Sequence, residues 1–268
     1  MICFPNAKIN LGLHITSKRK DGYHDIETCM VPIPLFDALE MVIENKTIFE
    51  TSGLAIPGEE KDNLILKALK LIRKDFSDLP QVHIHLHKNI PMGAGLGGGS
   101  ADGAFALTLM NKLFDLYLDD FILEDYAAQL GSDCPFFIEN KPKIATGRGE
   151  ILEPVDVDLK GDYILLIKPP VHVGTKEAYA GVSPKKPETD LKSLLKDKGS
   201  WKEKLVNDFE ASIFPQYPEI AEIKAKLYEM GAYYSAMSGS GSTVFGLFNE
   251  IPPKSVWPSE YFVFEGLV

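Results

Sequence analysis

The chain has 268 residues, of which 45% are hydrophobic and 25% charged, and its formal net charge is −10. Such a composition belongs to a globular protein of one large or two modest domains, and the acidic balance argues against a nucleic-acid surface, so no nucleic acid is expected as partner. No apolar run is long enough to cross a bilayer, the start Met1-Ile2-Cys3-Phe4-Pro5-Asn6 has no signal-peptide core, and Cys3, Cys29 and Cys134 have no metal or redox spacing, so a cytoplasmic protein without a membrane partner is expected.

Ala7 to Ile15 reads as an early strand, followed by the charged turn Lys18-Arg19-Lys20-Asp21-Gly22. Asp25 to Pro34 is extended, Leu39 to Ile43 continues the β character, and Thr47 to Pro57 suggests a short strand and turn. Asn63 to Phe76 is predicted helical, with Leu64, Ala68, Leu71 and Ile72 as its apolar stripe. Val82, Ile84 and Leu86 then alternate with His83, His85 and His87, the period of a half-buried strand. Three histidines on one strand face could bind zinc, but a solvent-facing row is the plainer reading, because no carboxylate or cysteine beside them in sequence completes a ligand set. Ser100 to Asn111 and Leu123 to Leu130 are predicted helices, the second capped by Gly131. Ile144 to Glu153 reads as turn-rich around Gly147-Arg148-Gly149, and the stretch Pro154 to Asp162 is the candidate domain boundary. A buried strand Tyr163 to Lys168 ends at Pro169-Pro170. Leu191 to Lys204 reads as a polar helix and Glu219 to Met230 as an amphipathic one closed by Gly231. A glycine-serine loop, Ser238-Gly239-Ser240-Gly241-Ser242, and a strand Thr243 to Phe248 follow.

The richest stretch is Pro91-Met92-Gly93-Ala94-Gly95-Leu96-Gly97-Gly98-Gly99-Ser100-Ala101, with five glycines in seven residues between a strand and a helix. Glycine lets the backbone turn so that several N–H groups converge, and the helix that follows adds unpaired N–H groups and its positive dipole end. This is a site for phosphate oxygens. Gly93, Gly95 and Gly98 satisfy the dinucleotide pattern G-x-G-x-x-G, but that pattern opens directly after the first strand of a βαβ unit, and here Lys88-Asn89-Ile90-Pro91-Met92 intervenes. The loop ends in Gly-Ser-Ala and lacks the lysine of the other familiar phosphate loop.

Taken with Asn6-Ala7-Lys8-Ile9-Asn10-Leu11, Asp21-Gly22-Tyr23-His24, Gly131-Ser132-Asp133-Cys134-Pro135-Phe136-Phe137 and the late glycine-serine loop, this stretch resembles the GHMP small-molecule kinases. Within them it is similar to the branch whose acceptor is 4-diphosphocytidyl-2-C-methyl-D-erythritol. The resemblance runs from near residue 5 to near residue 248. It implies an α+β, two-domain GHMP kinase fold: a ribosomal-protein-S5-like N-terminal domain, placed here at residues 1–158, and a ferredoxin-like C-terminal domain at 159–268. It also implies transfer of the ATP γ-phosphoryl group to the 2-hydroxyl of that small molecule, with ATP and Mg²⁺ as cofactors. The glycine loop from Pro91 to Ala101 (Pro91, Met92, Gly93, Ala94, Gly95, Leu96, Gly97, Gly98, Gly99, Ser100, Ala101) would hold the ATP phosphates. Ala101 stands where the family commonly has Ser, so no hydroxyl contact is available there.

Alone, Lys8 reads as an exposed strand-face lysine, and Asp133 equally as a helix cap. The resemblance makes Lys8 the cation facing the transferring phosphate and Asp133 the general base, with Asn10 orienting them. Tyr23 and His24 would read the cytosine, by stacking and by in-plane hydrogen bonds, or they end an ordinary surface turn. Thr175 and Tyr179 would complete that pocket. Asn63, Leu64 and Lys88 would form the adenine pocket, although Asn63 also suits a helix cap. No protein metal ligand is evident in the sequence, and magnesium would be carried mainly by ATP phosphates and water.

Overall fold

A computed structural model describes all residues, 1–268. In chain order it holds β1 (Ile2–Cys3), β2 (Asn6–Lys18), β3 (His24–Phe36), β4 (Ala38–Glu44), β5 (Ile48–Gly53), α1 (Leu64–Asp75), β6 (Gln81–Lys88), α2 (Gly98–Leu113), α3 (Asp120–Leu130) and α4 (Phe136–Glu139). There follow β7 (Lys143–Gly147), β8 (Ile151–Pro154), β9 (Tyr163–Lys168), α5 (Thr175–Ala180), α6 (Leu191–Leu195), α7 (Trp201–Lys204), α8 (Glu210–Ile213), α9 (Pro218–Glu229), β10 (Tyr234–Met237), β11 (Val244–Phe248) and β12 (Phe262–Leu267). No helix is long and apolar enough to cross a membrane.

The chain forms two compact units that interleave in sequence. The first comprises residues 1–7, 35–92 and 97–141. Its sheet runs β1-β4-β6-β5, with β5 parallel to β6 and the other pairs antiparallel. β6 buries Val82, Ile84 and Leu86 and turns its histidines outward, as period two requires. Helices α1 and α2 pack together, and their core joins Leu39, Met41 and the β6 aliphatics to Ile65, Leu69, Leu107 and Met110. The stripe of α1 is rotated from the expected one: Ile65, Ala68, Leu69 and Ile72 are buried, while Leu64 and Leu71 lie at its margin.

The second unit comprises residues 8–34, 93–96 and 142–268. One sheet runs β2-β3-β7-β8, and the other runs β10-β11-β9-β12 and is antiparallel throughout. Numbering its strands by order along the chain, the second sheet has the arrangement 2-3-1-4 expected of a ferredoxin-like sheet. The last segment of the chain supplies its edge, Phe262 to Leu267, paired on β9. Leu165, Ile167, Ile223, Leu227, Val244 and Phe248 share its core with Leu13 and Ile15 of β2.

Two expectations are corrected. The turn-rich reading of Ile144 to Glu153 gives way to a hairpin, β7–β8, whose register pairs Ile144 with Glu153 and Thr146 with Ile151. The single polar helix at 191–204 is two short helices, broken at the 3₁₀ turn Lys198–Ser200, and Leu191, Leu194, Leu195 and Trp201 are buried. Gly131 is the C-cap of α3 as expected, in an extended conformation with φ 173°, its N–H donating to the Ala127 carbonyl.

Candidate active site

In the second unit, β2 carries Lys8 and Asn10 on one face, two residues apart. Both are buried, so Lys8 is not the exposed strand-face lysine its sequence context suggested. A buried ammonium needs partners, and Lys8 Nζ donates to Asn10 Oδ1 at 2.6 Å and to the Gly95 carbonyl at 3.2 Å. Asn10 is held in turn, donating from Nδ2 to Thr28 Oγ1 at 3.0 Å, while Thr28 Oγ1 donates to the Gly12 carbonyl at 2.5 Å. The backbone N–H of Lys8 donates to the Leu96 carbonyl at 2.9 Å. Strand and glycine loop are therefore joined through both side chain and main chain.

Within that unit the two glycine loops lie against each other. Ser238 Oγ donates to the Gly95 carbonyl at 2.9 Å, and the Thr243 N–H donates to the Ala94 carbonyl at 3.3 Å. Gly93 and Gly95 have φ of 62° and 77°, in the left-handed region. A Cβ on Gly95 would stand 1.9 Å from the Ser238 carbonyl oxygen, and one on Gly93 would stand 2.8 Å from His172 Cε1. Asn207 fixes the second loop by donating from Nδ2 to the Met237 and Gly239 carbonyls at 2.7 and 2.8 Å. His172, Asn207 and Ser238 were not singled out from the sequence. Only the glycine-serine composition around Ser238 marked that region.

In the first unit, the loop ends in the start of α2, with Gly97 at φ 72° as its N-cap. The first-turn N–H groups of Gly98, Gly99 and Ser100 have no intrahelical acceptor, which suits anion oxygens. A cavity of about 280 Å³ borders this helix end, and Asn63, Leu64, Met92, Gly99 and Asp102 help to line it. Asn63 is also the N-cap of α1, its Oδ1 accepting from the Ile65 N–H at 2.9 Å. Asn63 is thus a helix cap that also borders the cavity. Lys88 does not line the cavity: the alternation of β6 puts it on the buried face with Val82, Ile84 and Leu86. Its ammonium is ion-paired with Asp37 and, at 2.7 Å, with Asp102. Asp37 Oδ1 accepts from the N–H groups of Asn89 and Ile90, at 2.6 and 2.8 Å, which fixes the approach to the loop. Burial pushes the Asp102 carboxyl up to about 7 against the pull of Lys88, and its Oδ1 has no hydrogen-bond partner. Asp37 and Asp102 carry no sequence motif and were missed.

Asp133 lies half-buried in the turn before α4, whose N-cap is Pro135, so it does not cap that helix. Burial drives the neighbouring Cys134 thiol up to about 12, as it does Cys3 and Cys29, so none of them is a thiolate nucleophile.

The expected base-reading residues fall in the second unit. His24 stacks on Tyr179 with ring centroids 4.8 Å apart and planes inclined by 17°. Tyr179 meets Phe209 edge-on at 4.8 Å. Thr175 is the first residue of α5, one turn before Tyr179. Tyr23 is exposed and points elsewhere, with the Arg148 guanidinium 5.2 Å from its ring centre. The turn that presents these rings is held by Arg19, which bonds Asp21 and Asp25 at 3.0 Å each. The histidine row of β6 is engaged with its neighbours: His83 Nε2 meets Glu50 Oε2 at 3.0 Å, and Ser52 Oγ lies 2.9 Å from both His85 Nε2 and His87 Nδ1. No group of three or more His, Cys, Asp or Glu is placed to hold a metal ion.

Residues 63–141 match the family model described as GHMP kinases N terminal domain, and residues 190–257 match GHMP kinases C terminal. The chain belongs to the GHMP kinases. A GHMP kinase of this kind is an ATP-using enzyme with a two-domain α+β fold, and this one has full-length relatives. A Bacteroides fragilis protein named 4-diphosphocytidyl-2-C-methyl-D-erythritol kinase is 56% identical over 254 residues, covering 93% of this chain and 92% of its own. One of the same name from Parabacteroides distasonis is 52% identical over 270 residues, covering 99% of each chain. A crystal structure of 4-(cytidine 5'-diphospho)-2C-methyl-D-erythritol kinase superposes with a TM-score of 0.80 at 31% identity, over 92% of this chain and 90% of that one. The mevalonate kinase of Methanococcus jannaschii, at 14% identity and a TM-score of 0.69, shares the fold.

Proposed function

We propose that this GHMP kinase transfers the γ-phosphoryl group of ATP to the 2-hydroxyl of 4-diphosphocytidyl-2-C-methyl-D-erythritol, a step of non-mevalonate isoprenoid precursor synthesis, in the cytoplasm. The observation that carries the reading is identity above 50% with kinases of that name over nearly the whole chain. The division at residues 158 and 159 is kept as a proposal for the two family domains, since the N- and C-terminal matches fall on either side of it.

The geometry of each part supports the roles proposed here, and that of Asp133 rests on the family resemblance. The α2 start, Gly97 to Ser100, and the left-handed glycines before it offer N–H groups to the phosphates, and the cavity beside Asn63 and Leu64 takes the base. Lys8 is a desolvated cation whose partners fix its direction, which suits it to neutralise the charge that develops on the transferring group. Asp133 takes the proton of the attacking hydroxyl as general base. The His24–Tyr179 stack supplies the aromatic surface for the cytosine, and Tyr23 takes part only after leaving Arg148. Lys88 acts from below, holding α2 and the strand end together through Asp102 and Asp37.

Bound magnesium would screen the phosphate charge. With no side-chain cluster to cage the ion, it is proposed to arrive on the nucleotide, and no step is assigned to a protein-held metal. Phosphorus NMR of the product tests the reading: a new phosphomonoester resonance coupled to the 2-position of the methylerythritol is expected, and its absence with an intact acceptor would overturn it.

A further inference from the structure

The second unit contains a cavity of about 530 Å³ that the proposed reaction does not use. His14 of β2 forms part of its lining, with Lys185, Lys186 and Glu188 from the segment after α5, Lys204 at the end of α7, and Asp208. His14 is only 6% exposed, and its Nε2 is buried with no hydrogen-bond partner. Its other nitrogen, Nδ1, stands 3.6 Å from Asp208 Oδ1, and Asp208 is itself fixed by accepting from the Ile15 N–H at 2.8 Å. A buried ring nitrogen without a partner costs free energy unless a ligand completes it.

The charges around it are unbalanced. Glu188 is neutralised by Lys185 at 3.2 Å, and Asp208 faces His14 and the backbone. Lys186 and Lys204 have no carboxylate partner, although the chain as a whole carries a charge of −10. The lining thus sets three ammonium groups against two carboxylates, and Lys186, Lys204 and a buried imidazole edge form the donor set of a small anion.

The cavity is separate from the glycine loop. His14 lies six residues beyond Lys8 on the same strand, about 20 Å along β2. Between them Gly12 is covered by apolar side chains: a Cβ there would stand 2.7 Å from Leu205 Cδ1 and 3.2 Å from Leu191 Cδ1. We propose that this cavity is a second anion site, binding a small phosphate or diphosphate compound independently of the nucleotide.

Calorimetric titration of the full chain with inorganic pyrophosphate tests it, with a non-hydrolysable ATP analogue and cytidine diphosphate both saturating so that the nucleotide positions are filled. One equivalent of pyrophosphate is expected to bind. Replacing both lysines, Lys186→Gln with Lys204→Gln, is expected to weaken it at least tenfold, while Lys254→Gln leaves it unchanged. His14→Gln is expected to weaken it as well, and its melting temperature reports whether the buried position still folds. The exposed lysine pair keeps the test decisive if His14→Gln does not fold. Absence of pyrophosphate binding with both nucleotides present, or equal affinity in the folded double-lysine variant, would overturn the proposal whether or not the chain is the kinase proposed above.

Discussion

The carbonyl oxygen of Ser238 lies 1.9 Å from where a Cβ on Gly95 would be. With its φ of 77°, Gly95 excludes a side chain twice over, by space and by backbone strain. At Gly95 the two glycine loops therefore meet backbone to backbone, and the Gly95 carbonyl accepts from both Ser238 Oγ and Lys8 Nζ.

Gly95→Ala is expected to abolish binding of an ATP analogue and to lower stability. Gly161→Ala separates strain from collision, because Gly161 has φ 89° with nothing within 4 Å of its would-be Cβ. The strain alone should cost about 1–2 kcal/mol. Chemical denaturation of both variants, beside nucleotide titration, checks this. Equal destabilisation with intact nucleotide binding would remove the loop from the site.

Asp133→Asn is expected to bind both substrates and to lose turnover by about 10²–10⁴-fold, the usual cost of removing a general base. Asparagine keeps the shape of the side chain and cannot take the proton. Steady-state rates with separate ligand titrations decide the matter, and near-normal turnover would leave Asp133 an orienting group.

His24→Ala is expected to weaken cytidine diphosphate by about 1–3 kcal/mol if its ring bonds the base. Tyr179→Ala should remove about 0.5–1.5 kcal/mol of stacking beyond burial. Affinity for the ATP analogue should stay unchanged in both, since Asn63 and Leu64 border a different cavity. Weakening of the ATP analogue alone would reverse the two assignments.

Asp102 gives a pH prediction. Its folded-state pKa is raised to about 7 from the ordinary carboxyl value of 3.8, chiefly by burial. Between those values the native state binds more protons than the unfolded chain, so this group's contribution to stability declines as pH rises from about 4 to about 7. Asp102→Asn removes the titration while keeping an acceptor for Lys88. Stability of the wild type minus that of the variant should fall across this window, as read by urea midpoints. A flat difference would mean that Lys88 holds Asp102 ionised throughout.

Much of this was legible in the sequence because local rules governed it. Period-two alternation located β6, and the glycine run located the start of α2. What escaped depended on distant partners. The hairpin β7–β8 hides behind Gly147-Arg148-Gly149, and β12 carries its meaning only when paired on β9. Lys88 reads as a pocket residue in a motif, yet Asp37 and Asp102, 51 and 14 residues away along the chain, make it a buried ion pair. His24 meets Tyr179 through folding, while Tyr23, its neighbour in sequence, lies under Arg148. Tyr23 stands in the turn before β3 and His24 opens the strand, a difference that a motif read as a unit does not show.

The central claim is acceptor identity, and the most direct test is ATP consumption by the purified chain with 4-diphosphocytidyl-2-C-methyl-D-erythritol, mevalonate and homoserine side by side. Turnover with the cytidine acceptor and none above background with the other two is the expected result. Turnover with mevalonate or homoserine and none with the cytidine acceptor would contradict the account.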